Sequence, residues 1–216
     1  MPSKRRLNIL RNKPPEPRFL LDRNLGAYEL KKQLCAEGFD VTAHDQVFEQ
    51  LERDPWIFYW AGRNGYVMIT ADLKFKRLFT HQAAVVLGNT AIFSFTGSTY
   101  NSDVRGSAFI KAKSRIFRML RKQPRPFIAT ILLDGSVHLD TDNPAPNRKK
   151  VEPKDWESYE RVCRAEGIEP EKARIAVPIE VRGGDNGPAE GQAGTQSAGQ
   201  TPKEEANEPD VSKEND

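Results

Sequence analysis

The sequence predicts an α/β fold: a three-layer sandwich around a central, mostly parallel five-stranded sheet, followed by a disordered acidic tail. Three observations predict it. Short apolar runs recur at residues 19–21, 39–43, 66–70, 91–95 and 127–133. Segments with helical start and stop signals separate them. Past residue 182 large apolar residues almost vanish, and Gly, Pro, Gln, Ser and Glu take over, a composition that cannot bury a core.

Each element has a local reason. Phe19-Leu20-Leu21 reads as a buried strand ending at Asp22. Asn24 can cap a helix over residues 25–37, with Ala27, Leu30 and Leu34 on one face. Gly38 stops it, and residues 39–43 alternate as a second strand. Asp54-Pro55 is a helix start, with Asp at the N-cap and Pro at the first helical position. That helix runs to about residue 64. Tyr66-Val67-Met68-Ile69-Thr70 is a third strand, closed by Ala71-Asp72. A helical or irregular stretch follows to about residue 82. Residues 91–95 form the fourth strand. A helix spans about 107–122 and stops before Pro124 and Pro126. Residues 127–133 form the fifth strand, which Asp134-Gly135 turns into a hairpin with Val137-His138-Leu139.

The organisation that follows is a basic, proline-rich arm (1–17), the α/β domain (18–143), an extension with a short amphipathic helix around 155–165 (144–181), and the tail (182–216). Formal net charge is +3, unevenly spread. The tail holds three basic and eight acidic side chains, leaving 30 basic and 22 acidic ones on the rest. A basic body suits a polyanion, and an acidic tail either competes for that surface or serves solubility. The two cysteines, Cys35 and Cys163, cannot build a four-ligand zinc site and fit a reducing cytoplasm. No signal peptide or membrane span is expected, for want of an apolar run of the needed length.

In an open parallel sheet the strands end at one edge, where crossover helices begin and ligands bind. Asp22 ends strand one, Asp54 opens the helix after strand two, and Asp72 follows strand three. An order of 2-1-3-4-5 would set Asp22 and Asp72 side by side. Clustered carboxylates repel one another unless a cation holds them. Hard oxygen donors that retain water select Mg²⁺ or Mn²⁺, and such a centre suits phosphodiester hydrolysis. Each residue also has a plainer reading: a turn at Asp22, helix caps at Asp54 and Asp72.

The set Leu20-Leu21-Asp22-Arg23-Asn24-Leu25, Gly38-Phe39-Asp40-Val41, His44-Asp45, Asp54-Pro55-Trp56-Ile57 and Val67–Phe75, with its Thr70-x-Asp72-x-x-Phe75 ending, resembles the small PIN-like domains, relatives of the toxin ribonucleases of toxin–antitoxin pairs. The resemblance covers about residues 18–133. It implies a Mg²⁺- or Mn²⁺-dependent endoribonuclease with Asp22, Asp54 and Asp72 as catalytic and metal-binding residues. It implies RNA as substrate and, for a toxin, a cognate antitoxin protein that blocks the acidic pocket; a homodimer stays open. A full site of this family has a further acid between the first and third positions, where this chain offers Asp45 or Glu49. Thr70 resembles the family's hydroxyl residue near the site.

Substrate contacts can be read independently. Lys111, Arg115, Arg118 and Lys122 form a basic stripe opposite Phe109, Ala112, Ile116 and Leu120, suited either to RNA phosphates or to plain solvation. Lys74 and Arg77 follow Asp72 closely enough to meet a phosphate. His44, with Asp45, is an auxiliary candidate for proton transfer or a structural hydrogen bond. Trp56, Tyr59 and Trp60 suit core packing, with base stacking as the alternative. The main competing function is a non-catalytic nucleic-acid or protein-binding module that keeps the basic helix and lacks the metal. A phosphoacceptor fold would need an acidic pair after strand one, and a haloacid-dehalogenase-type phosphatase would need Asp where Asn24 stands.

Overall fold

The computed structural model describes residues 15–25, 27–96, 101–140 and 151–170. The acidic tail, and the basic arm as far as residue 14, lie outside the described residues. Six strands form one sheet in the order β2-β1-β3-β4-β5-β6. They are β1 (Arg18–Leu21), β2 (Asp40–Ala43), β3 (Tyr66–Thr70), β4 (Ala91–Phe95), β5 (Phe127–Ile131) and β6 (Val137–Leu139). The first five pair in parallel, with Leu21 opposite both Ala43 and Ile69. β6 returns antiparallel to β5, as the Asp134-Gly135 turn leads one to expect. Gly135 has φ +83°, and a Cβ there would lie 2.6 Å from Cβ of Lys111, so both backbone and space require glycine.

Helices α1 (Ala27–Ala36) and α4 (Ser102–Lys122) cover one face of the sheet; α2 (Asp54–Arg63) and α3 (Phe79–Gly88) cover the other. The two faces divide the strands by alternation. Phe19, Leu21, Val67, Ile69, Phe93 and Ala129 pack toward α1 and α4. Leu20, Met68, Ile92 and Ile128 pack toward α2 and α3. α2 and α3 approach closely where a Cβ on Gly62 would lie 2.2 Å from the Gly88 carbonyl oxygen. That contact fixes the relation of the two helices whose N-terminal ends reach the edge where the parallel strands finish.

Several boundaries differ from the sequence reading. α4 begins five residues earlier than residue 107, because Asn101 caps it by accepting a 3.0 Å hydrogen bond from the Val104 N–H. The stretch after Asp72 resolves into a 3₁₀ turn (Lys74–Arg77) and all of α3. α3 is buried almost all round, so it shows no amphipathic stripe in sequence. Trp56, Tyr59 and Trp60 pack rather than project: Tyr59 is buried, and Trp60 stacks on Tyr66.

The extension folds as α5 (Pro153–Ala165) and docks on α2 and α3. Tyr159, Val162 and Cys163 are fully buried, and the Tyr159 ring meets Phe79 edge-on at 5.5 Å. Ser158 Oγ accepts from the Trp56 N–H at 3.1 Å, and Tyr59 donates to Glu166 at 2.6 Å. Among the described residues no helix is long and apolar enough to cross a membrane.

Candidate functional site

The edge where β1, β2 and β3 end carries the charged groups. Asp22 continues the β1–β3 ladder by one step, its N–H donating to the Ile69 carbonyl at 2.9 Å. By alternation its side chain turns to the α2/α3 face, as does Thr70. Thr70 Oγ1 donates to Asp22 Oδ2 at 2.7 Å and accepts from the Asp72 N–H at 3.0 Å. One hydroxyl therefore ties the two strand-end aspartates together. Asp72 Oδ1 accepts from the Lys74 N–H at 2.8 Å, which fixes its carboxylate over the following 3₁₀ turn.

Asp22 is only 4 % exposed. Burial, then the charge of Asp54 and more weakly that of Asp72, push its carboxyl up to about 6, while Thr70 and Arg23 pull the other way. The three aspartates thus share one electrostatic neighbourhood.

Asp54 is held differently from the sequence reading. The N-cap of α2 is Arg53, which makes no side-chain cap bond; Asp54 is the first helical residue. Its carboxylate faces a guanidinium and an imidazole instead. Oδ1 lies 3.6 Å from the Arg23 guanidinium and Oδ2 lies 3.6 Å from Nε2 of His81 on α3. Burial opposes its ionisation, yet His81 and Arg23 together hold its pKa below the usual carboxylate value. Arg23 is itself anchored, donating to the carbonyls of Gln50 at 2.5 Å and Glu52 at 2.9 Å.

His44 follows β2 and is 2 % exposed, with Nε2 buried and lacking a hydrogen-bond partner among the described residues. Burial and the nearby Arg23 charge lower its pKa, so the ring is neutral at pH 7. The alternative of a bond to Asp45 is not what the geometry has: the ring packs against Phe48 at 5.3 Å. Asp45 and Glu49 are both exposed. The acid that does lie within electrostatic reach of Asp54 and His81 is Asp155 of α5, which burial raises and Arg53 approaches at 3.9 Å.

Arg23, His81 and Asp155 are absent from the sequence-based site. Arg23 follows Asp22 directly in sequence, which gives no sign that its guanidinium reaches Asp54. His81 sits in a helix without a periodic signal, and Asp155 arrives from the far end of the described chain. Lys74 and Arg77 are exposed beside Asp72. Lys111, Arg115, Arg118 and Lys122 are exposed too, but α4 lies on the opposite face of the sheet from the carboxylates and runs away from their edge.

Residues 17–97 match the family model of the PIN-like domain. This segment is a PIN-like domain. No curated protein and no solved structure matches the chain significantly. The matched segment ends just after β4, and α4, β5, β6 and α5 complete the sheet and its layers from beyond it. Among the described residues, no three His, Cys, Asp or Glu side chains converge as a ready metal-ligating group. Asp54 is turned to Arg23 and His81. The remaining pair, Asp22 and Asp72, is a hard oxygen donor set. Donors of this chemical type suit an ion such as Mg²⁺, which takes one or two carboxylates and keeps several waters.

Proposed function

We propose that the PIN-like domain is a Mg²⁺- or Mn²⁺-dependent endoribonuclease that hydrolyses RNA phosphodiesters at the Asp22, Asp54 and Asp72 edge. The observation that carries this reading is the placement of Asp22, Asp54 and Asp72 at the edge where the parallel strands end, with Thr70 tying the first to the third. Burial, and after it the charge of Asp54, disfavours ionised Asp22, and a divalent ion offsets that cost.

Asp22 and Asp72 would hold the ion, with Asp54 as the third carboxylate of the edge. A bound divalent ion supplies Lewis acidity and neutralises charge developing on the phosphate. The chain's own residues do the rest. Thr70 fixes Asp22 by hydrogen bonding to Oδ2 and so aims Oδ1 away from that bond. The 3₁₀ turn after Asp72 presents Lys74 and Arg77, which draw an RNA backbone to the edge without reading its sequence.

Cleavage of a labelled RNA with Mg²⁺ or Mn²⁺, by wild type and by Asp72→Asn, tests the proposal. Cleavage lost in the variant and in chelator supports it. Equal cleavage by both proteins, or cleavage indifferent to chelator, rejects it. One observation favours a second reading, a non-catalytic nucleic-acid or protein-binding module: Asp54 is already neutralised from within the chain. On that reading neither protein cleaves, and both bind RNA equally.

A further inference from the structure

A recess opens at the other end of the sheet, where β1 and β3 begin. It lies between the start of β1, the Asn64-Gly65 turn before β3 and the C-terminal end of α4, and has a volume of about 740 Å³. That is the size of a small-molecule site, roughly 300–1,000 Å³. Its lining is mostly apolar, supplied by Pro15, Pro17, Phe117 and Leu120.

The charges of the recess are one-sided. Arg18, Arg121 and Arg125 line it, against the carboxylate of Glu16. One residue, Tyr66, fixes two of these guanidiniums. Arg18 donates to its hydroxyl and lies over its ring, and Arg125 donates to its carbonyl at 3.1 Å. Asp40 approaches Arg18 only to 3.9 Å, and both side chains are more than half exposed. Arg125 is half-buried, and burial lowers its pKa. Among the described residues, neither Arg125 nor the exposed Arg121 forms an ion pair.

We propose that this recess binds one small amphipathic anion per chain, a molecule with an apolar body and a carboxylate or phosphate head. The site stands apart from the nuclease reading, because the recess and the aspartates lie at opposite ends of the strands. The apolar body covers Phe117 and Leu120, and the head pairs with Arg121 and Arg125. A guanidinium matches the oxygens of either head in bidentate fashion. Such a head gives the half-buried Arg125 the counter-charge that the chain does not supply. Both halves of the ligand are needed. A bare anion leaves the apolar surface wet, and an uncharged apolar molecule removes water from the guanidiniums without pairing them. Residues 1–14 carry five basic side chains and no acidic one, so their charge does not complement this recess.

Titration calorimetry of the full chain with octanoate, octyl phosphate, 1-octanol and inorganic phosphate tests this, with amide NMR shifts locating the ligand. Wild type should bind one octanoate or octyl phosphate per chain, with shifts centred on Gly65, Phe117 and Leu120. The tighter of the two names the head. Each of 1-octanol and inorganic phosphate should bind about tenfold more weakly or worse. Arg121→Gln/Arg125→Gln should weaken both charged ligands by about tenfold and leave 1-octanol unchanged. Equal affinity for octanoate, octyl phosphate and 1-octanol would overturn the role of the arginines. No binding by wild type, or shifts centred away from the recess, would overturn the site. Circular dichroism shows whether the double variant folds. Should it unfold, Arg121→Gln alone decides: it should weaken the charged ligands by about threefold, and unchanged affinity would contradict the proposal.

Discussion

Thr70 Oγ1 sits between Asp22 and Asp72, donating to the carboxylate of the first at 2.7 Å and accepting from the backbone N–H of the second at 3.0 Å. Both aspartates thus depend on a strand residue that carries no charge. Thr70→Val keeps the shape and removes the hydroxyl. A hydrogen bond to a charged group contributes about 1.5–3 kcal/mol, so the variant should lose stability of that order. Because Asp22 loses its aim, cleavage should fall about tenfold or more at unchanged Mg²⁺. Urea unfolding and single-turnover cleavage measure the two effects; a variant equal to wild type in both would remove Thr70 from the site.

Without divalent ion, Asp22 makes the fold sensitive to pH in an unusual direction. Its carboxyl titrates near 6 when folded, against an ordinary value of 3.8. Between those values the folded protein keeps a proton that the unfolded chain has released. Stability therefore falls as pH rises from about 4 to about 6 and stays lower above that, by at most about 3 kcal/mol. In chelator, Asp22→Asn should be the more stable protein at pH 8, and the difference should close toward pH 4. Urea unfolding of both proteins at the two pH values checks this. Curves that stay a fixed distance apart would show that Asp22 is not strained by its neighbours.

α5 lies outside the matched PIN-like segment but not outside its core. Tyr159 is fully buried against Phe79, and Ser158 accepts from the backbone of α2 two residues after Asp54. Tyr159→Ala should destabilise the protein by about 3–5 kcal/mol, as large aromatic-to-alanine changes in cores do. It should also loosen the α2 end that carries Asp54. Thermal unfolding reads the first effect. An unchanged melting temperature would mean that α5 is an appendage.

Much of this was legible in the sequence, for a physical reason. The strands are short apolar runs bounded by Gly, Pro and Asp, and a parallel sheet sends their ends to one edge. Asp22 and Asp72 could therefore be placed together before any coordinates. Asp54 was expected to cap its helix, since Asp-Pro is a strong helix-start signal, but the cap is Arg53, and only the fold brings Arg23 and His81 to the Asp54 oxygens. His81 was invisible because α3, buried all round, carries no amphipathic period. Asp155 was invisible because α5 docks through contacts separated by about a hundred residues, such as Trp56 with Ser158. The basic stripe of α4 was read correctly as a stripe; its distance from the carboxylates is a property of the layers, which spacing along the helix does not contain.

That layering makes a prediction about RNA. Lys74 and Arg77 flank Asp72, while Lys111, Arg115, Arg118 and Lys122 lie on the other side of the sheet. Lys74→Ala/Arg77→Ala should weaken binding of single-stranded RNA. It should also lower the dependence of log affinity on log salt by roughly 0.7 for each phosphate no longer neutralised. The same change at the four α4 positions should weaken binding less. A salt titration of both variants settles the order, and the reverse order would move the RNA to the α4 face.

The most direct test is single-turnover cleavage of an RNA oligonucleotide at pH 7.5 by wild type and by Asp22→Asn, over a range of Mg²⁺. Wild type should cleave with saturable dependence on Mg²⁺, and Asp22→Asn should lose at least a hundredfold at every concentration, since a carboxylate donor to the ion has gone. Cleavage by Asp22→Asn within a few-fold of wild type would show that these carboxylates hold no catalytic ion.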